Sequence, residues 1–442
     1  MRVLLVTFSF PPAGGVGVLR ALSLAKYLPE NGIEVEVLTA RNAPAVQRDD
    51  TLASQVPFSV IVHRCWTLDL PFGVRKAIKR ILSETSDATS ATVAEGGRVS
   101  KPRLLKKIFA DMLLPDPQIG WLPLAVPAAA RLIRKKQIDL VLITVPPFSS
   151  SRMVSFLRRK FPVLPIVLEF RDEWLNTTID LVSYSNSPRA KQIAARTEKE
   201  AVHDATLVVA VTDAAERTIR QRYPQEPSSK FVCVPNGYDS QPSLTMPSMP
   251  ALDTVTLTFI GTVYRSSDPS SFIEAVHALP EIIKSRLRIR FIGHIESPHY
   301  RHALMSLGSI IDLQGVLPQA EALQAIKTTD YLLLISHDPI NVAAKVYDYL
   351  GGGRPIIAAI HPDGDIRRIL EETEAGIWAD VRDANSIRQL LAQIIEATAT
   401  SQCSFRPRAD VIARYHRRSI TRRYASLLQK LVGGTSQREV TR

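Results

Sequence analysis

Residues 3–28 read VLLVTFSFPPAGGVGVLRALSLAKYL. An apolar run of strand length gives way to two prolines and a glycine-rich turn, and the turn opens into a segment with helical spacing of apolar residues. Strand, glycine turn and helix in that order bring backbone N–H groups and a helix N-terminus to one point, which suits a phosphate or another anion. Gly14, Gly15 and Gly17 would let a ligand approach the backbone closely. The opening run also has the composition of a signal-peptide centre, but the prolines and glycines directly after it favour a buried first strand. A dinucleotide fingerprint needs a small residue where Arg20 stands, and no GxxxxGK[ST] loop occurs. The turn by itself is read either as a functional anion loop or as a structural one.

Outward from this unit, apolar runs keep alternating with helix-length amphipathic segments. Strand candidates are EVEVLT (34–39), LVLIT (140–144), PIVLEF (165–170) and LVVAV (207–211), then TLTFIG (256–261), RIRFIG (288–293), YLLLIS (331–336) and PIIAAI (355–360). Helical segments are expected near 16–28, 122–136 and 190–202. That alternation predicts an α/β chain of parallel sheets with crossover helices. At 442 residues, two domains are expected. Residues 236–252, rich in Pro, Ser and Gly, read as the linker, giving an N-terminal domain over 1–240 and a C-terminal domain over 253–410. Residues 69–117 read as a variable insertion, most polar at 83–100, and 411–432 as a final helix.

Composition narrows the function classes. Mean hydropathy is +0.02 and no apolar stretch reaches the roughly 18–20 residues of a spanning helix, so a membrane bundle is not expected. Cys65, Cys233 and Cys403 are scattered, with neither a disulfide framework nor a CxxC pair, which fits a reducing cytoplasm. No metal-ligand spacing or Ser-His-Asp constellation emerges, so no metal is assigned. The net charge of +12 is concentrated in residues 75–107 and in the tail from Arg406. Those stretches read as solvated helix faces, or as surfaces for an anionic membrane or a lipid-linked phosphate. No nucleic-acid motif accompanies them.

A second stretch carries chemistry: VAAKVYDYLGGGRPIIAA, residues 342–359. Lys345 and Asp348 are three apart on one helical face, and taken alone they make an ordinary surface ion pair. Gly351, Gly352 and Gly353, followed by Arg354 and Pro355, force a sharp helix-to-strand turn. The helix follows a strand and the loop SHDPINVAA, so its N-terminus is expected over the carboxyl ends of the strands, where open α/β sheets bind ligands.

With these segments in order, the chain resembles the family 4 retaining glycosyltransferases. The likeness runs through PPAGGVGVLRALSLAKYLPENGIEVEVLT (11–39), ITVPPFSS (143–150), LEFRDEW (168–174), VPNGYD (234–239), FIGTVYRSSDP (259–269) and AKVYDYLGGGRPIIA (344–358). It implies the GT-B fold, two facing Rossmann-like domains with a central cleft. It further implies that Asp348 accepts from the ribose hydroxyls of the donor and that Lys345 and the amides of 342–345 hold its diphosphate. Arg265 matches the family's basic residue after the first strand of the second domain, and Gly14, Gly15 and Gly17 join the donor side. Arg20 and Asp172 are assigned to the acceptor. The chain departs from the family at Ile340, where a first carboxylate usually stands, and at Ser151, where a histidine is common.

The resemblance implies sugar transfer from a nucleotide-sugar to an acceptor with retention. The nucleotide-sugar is a substrate, and neither a cofactor nor a metal is expected. The expected setting is cell-surface polysaccharide or glycolipid synthesis, in the cytoplasm or at the inner face of the membrane. Two alternatives stay open: a non-catalytic scaffold of the same fold, suggested by Ile340 and Ser151, and a nucleotide-sugar epimerase.

Overall fold

A computed structural model describes residues 1–43, 48–68, 114–176, 187–240, 253–399 and 405–440. The expected insertion lies outside the described residues except for 114–117, as do linker residues 241–252, the basic stretch 75–107 and Cys403. The chain forms two compact units. The first comprises Met1–Val211, Ile219–Val232 and Thr421–Arg442; the second comprises Thr212–Thr218 and Cys233–Ile420.

The first unit is built on a seven-stranded sheet in the order β3-β2-β1-β4-β5-β6-β7. Its strands are β1 (Arg2–Val6), β2 (Glu34–Ala40), β3 (Ile61–Cys65), β4 (Leu140–Val145), β5 (Ile166–Phe170), β6 (Leu207–Ala210) and β7 (Phe231–Cys233). Pairings from β3 through β6 are parallel, with Leu5 opposite Val37 and Leu142 opposite Val167. Helices α1 (Val16–Tyr27), α2 (Leu122–Lys136), α3 (Arg152–Lys160) and α4 (Pro188–Asp204) make the connections up to β6, and α5 (Asp213–Arg222), which belongs to the first unit only from Ile219 onward, lies between β6 and β7 in the chain. Every residue of β4 is buried, as expected for a strand covered on both faces.

The second unit has a six-stranded parallel sheet ordered β10-β9-β8-β11-β12-β13. These strands are β8 (Val255–Ile260), β9 (Leu287–Ile292), β10 (Ile311–Gln314), β11 (Tyr331–Ser336), β12 (Ile356–Ile360) and β13 (Gly376–Asp380). The helices used below are α6 (Ser270–His277), α7 (Lys345–Gly352), α8 (Asp365–Thr373) and α9 (Ala384–Ala399). Alternation along β11 separates two cores. Leu333 and Ile335 join Phe259, Phe291 and the helix residues Phe272 and Leu391 on one face. Leu332 and Leu334 join Val346, Tyr349, Ile366 and Leu370 on the other. Fully burying one such side chain contributes about 1.5–3 kcal/mol, so both faces anchor the strand.

The last helix, α10 (Arg417–Val440), begins in the second unit and belongs to the first from Thr421 onward. Ile420, Tyr424 and Leu428, spaced by one helical turn, are its buried stripe, while Arg418, Arg422, Arg423 and Lys430 are exposed.

In both sheets the strand order reverses at one point, between β1 and β4 in the first unit and between β8 and β11 in the second. Neighbouring connections leave such a point in opposite directions, which opens a crevice at the carboxyl ends of the two strands.

Candidate functional site

In the second unit the chain leaves β8 through Gly261, which has φ +129, and leaves β11 through residues 337–344 before entering α7. Gly261 donates to Ile292 O at 2.8 Å. Gly293, at the end of β9, lies against it so closely that a β-carbon there would come within 2.2 Å of Gly261 O. Glycine at both positions therefore lets the two strand ends pack.

Lys345 is the first residue of α7, and its aliphatic chain runs back to this turn. A β-carbon on Gly261 would sit 3.3 Å from Lys345 Nζ. The ammonium rests 3.6 Å from the centre of the Phe259 ring, itself stacked on Phe291 with centroids 4.8 Å apart. Nζ is buried and has no hydrogen-bond partner. Burial lowers its pKa to about 7. The surface ion pair with Asp348 that spacing alone suggests is not formed. No side chain caps α7, so the N–H groups at its start have no side-chain cap at the same end of the sheet, with Asp348 in the first turn.

Asp348 lies one turn further along α7. Burial raises its carboxyl pKa, Arg417 opposes that shift and Asp239 reinforces it. Arg417 donates through Nε to Gly237 O at 2.8 Å and lies 3.9 Å from Asp239. The VPNGYD segment and the start of α10 therefore share the electrostatic neighbourhood of Asp348. Spacing within either segment could not reveal that proximity; only the fold brings them together. Tyr349 fixes the helix by accepting from Ile260 N–H at 2.8 Å.

Arg265 is exposed on a short turn directly after β8. Ser267 holds this turn, accepting from Tyr264 N–H and donating to Thr262 O, and His337 N–H donates to Ser266 O from the loop after β11. Ile340 contributes its carbonyl, which accepts from Thr212 Oγ1 at 2.8 Å. The carboxylate nearby in sequence, Asp338, accepts from the N–H groups of Ile340 and Asn341 and from the Asn341 amide, and so shapes the loop.

The first unit places the other expected residues around its own strand reversal. Gly15, with φ +94, is the N-cap of α1. Arg171, after β5, donates to the carbonyls of Gly17, Val145 and Pro146, tying the glycine turn to the end of β4. Burial lowers the pKa of its guanidinium. Arg20 is 8% exposed and paired with the fully buried Glu169 at 2.9 Å, while Thr144 donates to the other Glu169 oxygen. Asp172 is partly exposed beside Trp174, whose ring stacks on Phe148 at 4.5 Å. Ser151 is buried and donates to Phe148 O at 2.6 Å. The structure thus gathers Gly261, Arg265, Lys345 and Asp348 at one sheet end, and Gly15, Gly17 and Asp172 at another. Arg20 is engaged below the surface.

The sequence profile described as the glycosyl transferase 4-like domain matches residues 14–237, half of the chain. The chain belongs to this family. Solved structures extend the likeness over both units. HepE of Anabaena, crystallised with UDP, shares 14% identity over 97% of this chain and all of its own, with a TM-score of 0.59. Sucrose-phosphate synthase of Thermosynechococcus elongatus shares 14% over 98% and 99%, with a TM-score of 0.63. WaaG, a glycosyltransferase involved in lipopolysaccharide biosynthesis, shares 14% over 96% and 99%, with a TM-score of 0.56. No curated protein matches the sequence. The chain is a glycosyl transferase 4-like protein with the GT-B fold. Among the described residues of this family member, no helix is long and apolar enough to cross a membrane.

Proposed function

We propose that the chain transfers a sugar from a nucleotide-sugar to an acceptor hydroxyl with retention at the anomeric carbon. The observation that carries the reading is Lys345: a buried, unpartnered ammonium beside a glycine turn, at the strand reversal of the second sheet. A buried donor without a partner is costly, and a diphosphate oxygen would satisfy it. Asp348 would accept from the ribose hydroxyls, and Arg265 would meet the phosphates from the exposed side. The structures of HepE with UDP and with UDP-glucose support this class of donor.

In the proposed reaction the acceptor oxygen bonds to the anomeric carbon on the face from which the diphosphate departs. The hydroxyl proton passes to an oxygen of the leaving diphosphate. Lys345, Arg265 and the start of α7 supply positive charge to the leaving group, so the reading assigns no metal or cofactor. Asp172, partly exposed at the end of β5, is the residue proposed to meet the acceptor. A polysaccharide or glycolipid acceptor, handled at an anionic membrane surface, fits the exposed arginines of α10.

Screening UDP- and GDP-sugars by thermal shift and by release of nucleoside diphosphate tests the proposal. Donor binding with release only when acceptor is present supports transfer. Absence of binding to every donor would make the chain the non-catalytic relative that Ile340 and Ser151 suggest.

A further inference from the structure

The first unit has a second concave site, formed by helix faces instead of strand ends. Between α3 and α4 lies a pocket of about 280 Å³. Arg152, Ser155, Phe156 and Arg159 line it from α3, at the spacing of one helical face, and Arg196 and Glu200 line it from α4. None of these residues belongs to the donor site proposed above.

The charges facing the pocket are unbalanced. Arg196 donates to Glu200 at 2.8 Å, so the one carboxylate among these six residues already has a cation. Arg159 lies over the Phe156 ring at 5.0 Å. Arg152 is partly buried, and its guanidinium makes no hydrogen bond or ion pair among the described residues; Glu200, Asp116 and Arg196 act on it only through their field. Ser155 is 8% exposed, and its hydroxyl is buried with no partner. A serine inside a helix ordinarily bonds back to the preceding turn or faces solvent, and this one does neither. A half-buried guanidinium without a protein partner and a buried hydroxyl left unsatisfied beside the same concavity suit one acceptor with several oxygens.

We propose that this pocket binds the phosphate group of a phosphorylated ligand. The fork of Arg152 matches two phosphate oxygens, Ser155 Oγ donates to a third, and Arg159 closes the rim. Phe156, exposed at 44%, offers an apolar wall to the carbon skeleton that bears the phosphate. The phosphate belongs either to a small soluble monoester or to a lipid headgroup.

The full-length chain is titrated at constant ionic strength with inorganic phosphate, with glucose 6-phosphate, and with phosphatidylcholine vesicles with or without phosphatidylglycerol, using chloride as the control. Saturable binding is expected for at least one phosphate probe and not for chloride. Arg152→Gln is expected to weaken it about tenfold and Ser155→Ala about threefold. Tighter binding of glucose 6-phosphate than of phosphate assigns a soluble ligand; binding confined to phosphatidylglycerol vesicles assigns a headgroup. Should Arg152→Gln fail to fold, Arg152→Lys keeps the charge without the fork and is expected to weaken binding as well. No saturable binding to any probe, or binding that these variants leave unchanged, overturns the proposal.

Discussion

The ammonium of Lys345 sits 3.6 Å above the Phe259 ring with no hydrogen-bond partner, and burial lowers its pKa to about 7. In the unfolded chain the same group titrates near 10.5. Between those values the unfolded state holds a proton that the folded state has released, so stability rises with pH across that window. Below about 7 both states are protonated and this contribution is flat. Lys345→Met should remove this contribution to the rise and raise stability at pH 6. Denaturant melts of both proteins from pH 6 to 9 check it; parallel curves would place Lys345 in a solvated setting.

Asp348→Ala removes the carboxylate proposed for the ribose. Donor binding should weaken by about 1.5–3 kcal/mol, the range for hydrogen bonds to a charged group. Calorimetry on a variant with a wild-type melting curve makes the comparison. Unchanged affinity would detach Asp348 from the donor.

Gly261→Ala places a methyl 3.3 Å from Lys345 Nζ at a backbone φ of +129. Strain of about 1–3 kcal/mol in the turn is expected, with displacement of the ammonium. The loss in donor-binding free energy should exceed the loss in folding free energy. A loss confined to stability would show that the turn serves packing alone.

Glu169→Gln leaves Arg20 buried beside an uncharged partner. Removing one member of a buried pair costs about 3–5 kcal/mol, and chemical denaturation should register it. Wild-type stability together with a raised acceptor KM would return Arg20 to the acceptor role expected from sequence.

The sequence expectations captured the interior of both sheets and missed their borders. The central strands β1, β2, β4, β5, β6, β8, β11 and β12 were legible as apolar runs because most of their residues are covered, and β9 was legible by alternation, with Arg288 exposed between buried Leu287 and Ile289. The strands left unassigned, β3, β7, β10 and β13, are the four sheet edges. IVHRC and IDLQ carry polar residues because one side meets water, and FVC is too short to give a period. At the site, Lys345 and Asp348 could be picked out by their place before a glycine turn. Their environments could not. The ring beneath Lys345 comes from a strand more than eighty residues earlier, and the charges around Asp348 come from Asp239 and Arg417. Arg20 failed to declare its partner for the same reason, since Glu169 is 149 positions away.

The central claim is that a nucleoside diphosphate seats on Lys345. Its direct test is calorimetric titration of UDP and GDP at pH 8 in buffers of different ionisation enthalpy, with wild type and Lys345→Met. An incoming diphosphate should restore the charge on the lysine, so the account predicts uptake of close to one proton. It also predicts an affinity that falls by up to roughly tenfold per pH unit above 7, with both effects absent in the variant. Binding without proton uptake, or equal binding by Lys345→Met, would contradict it.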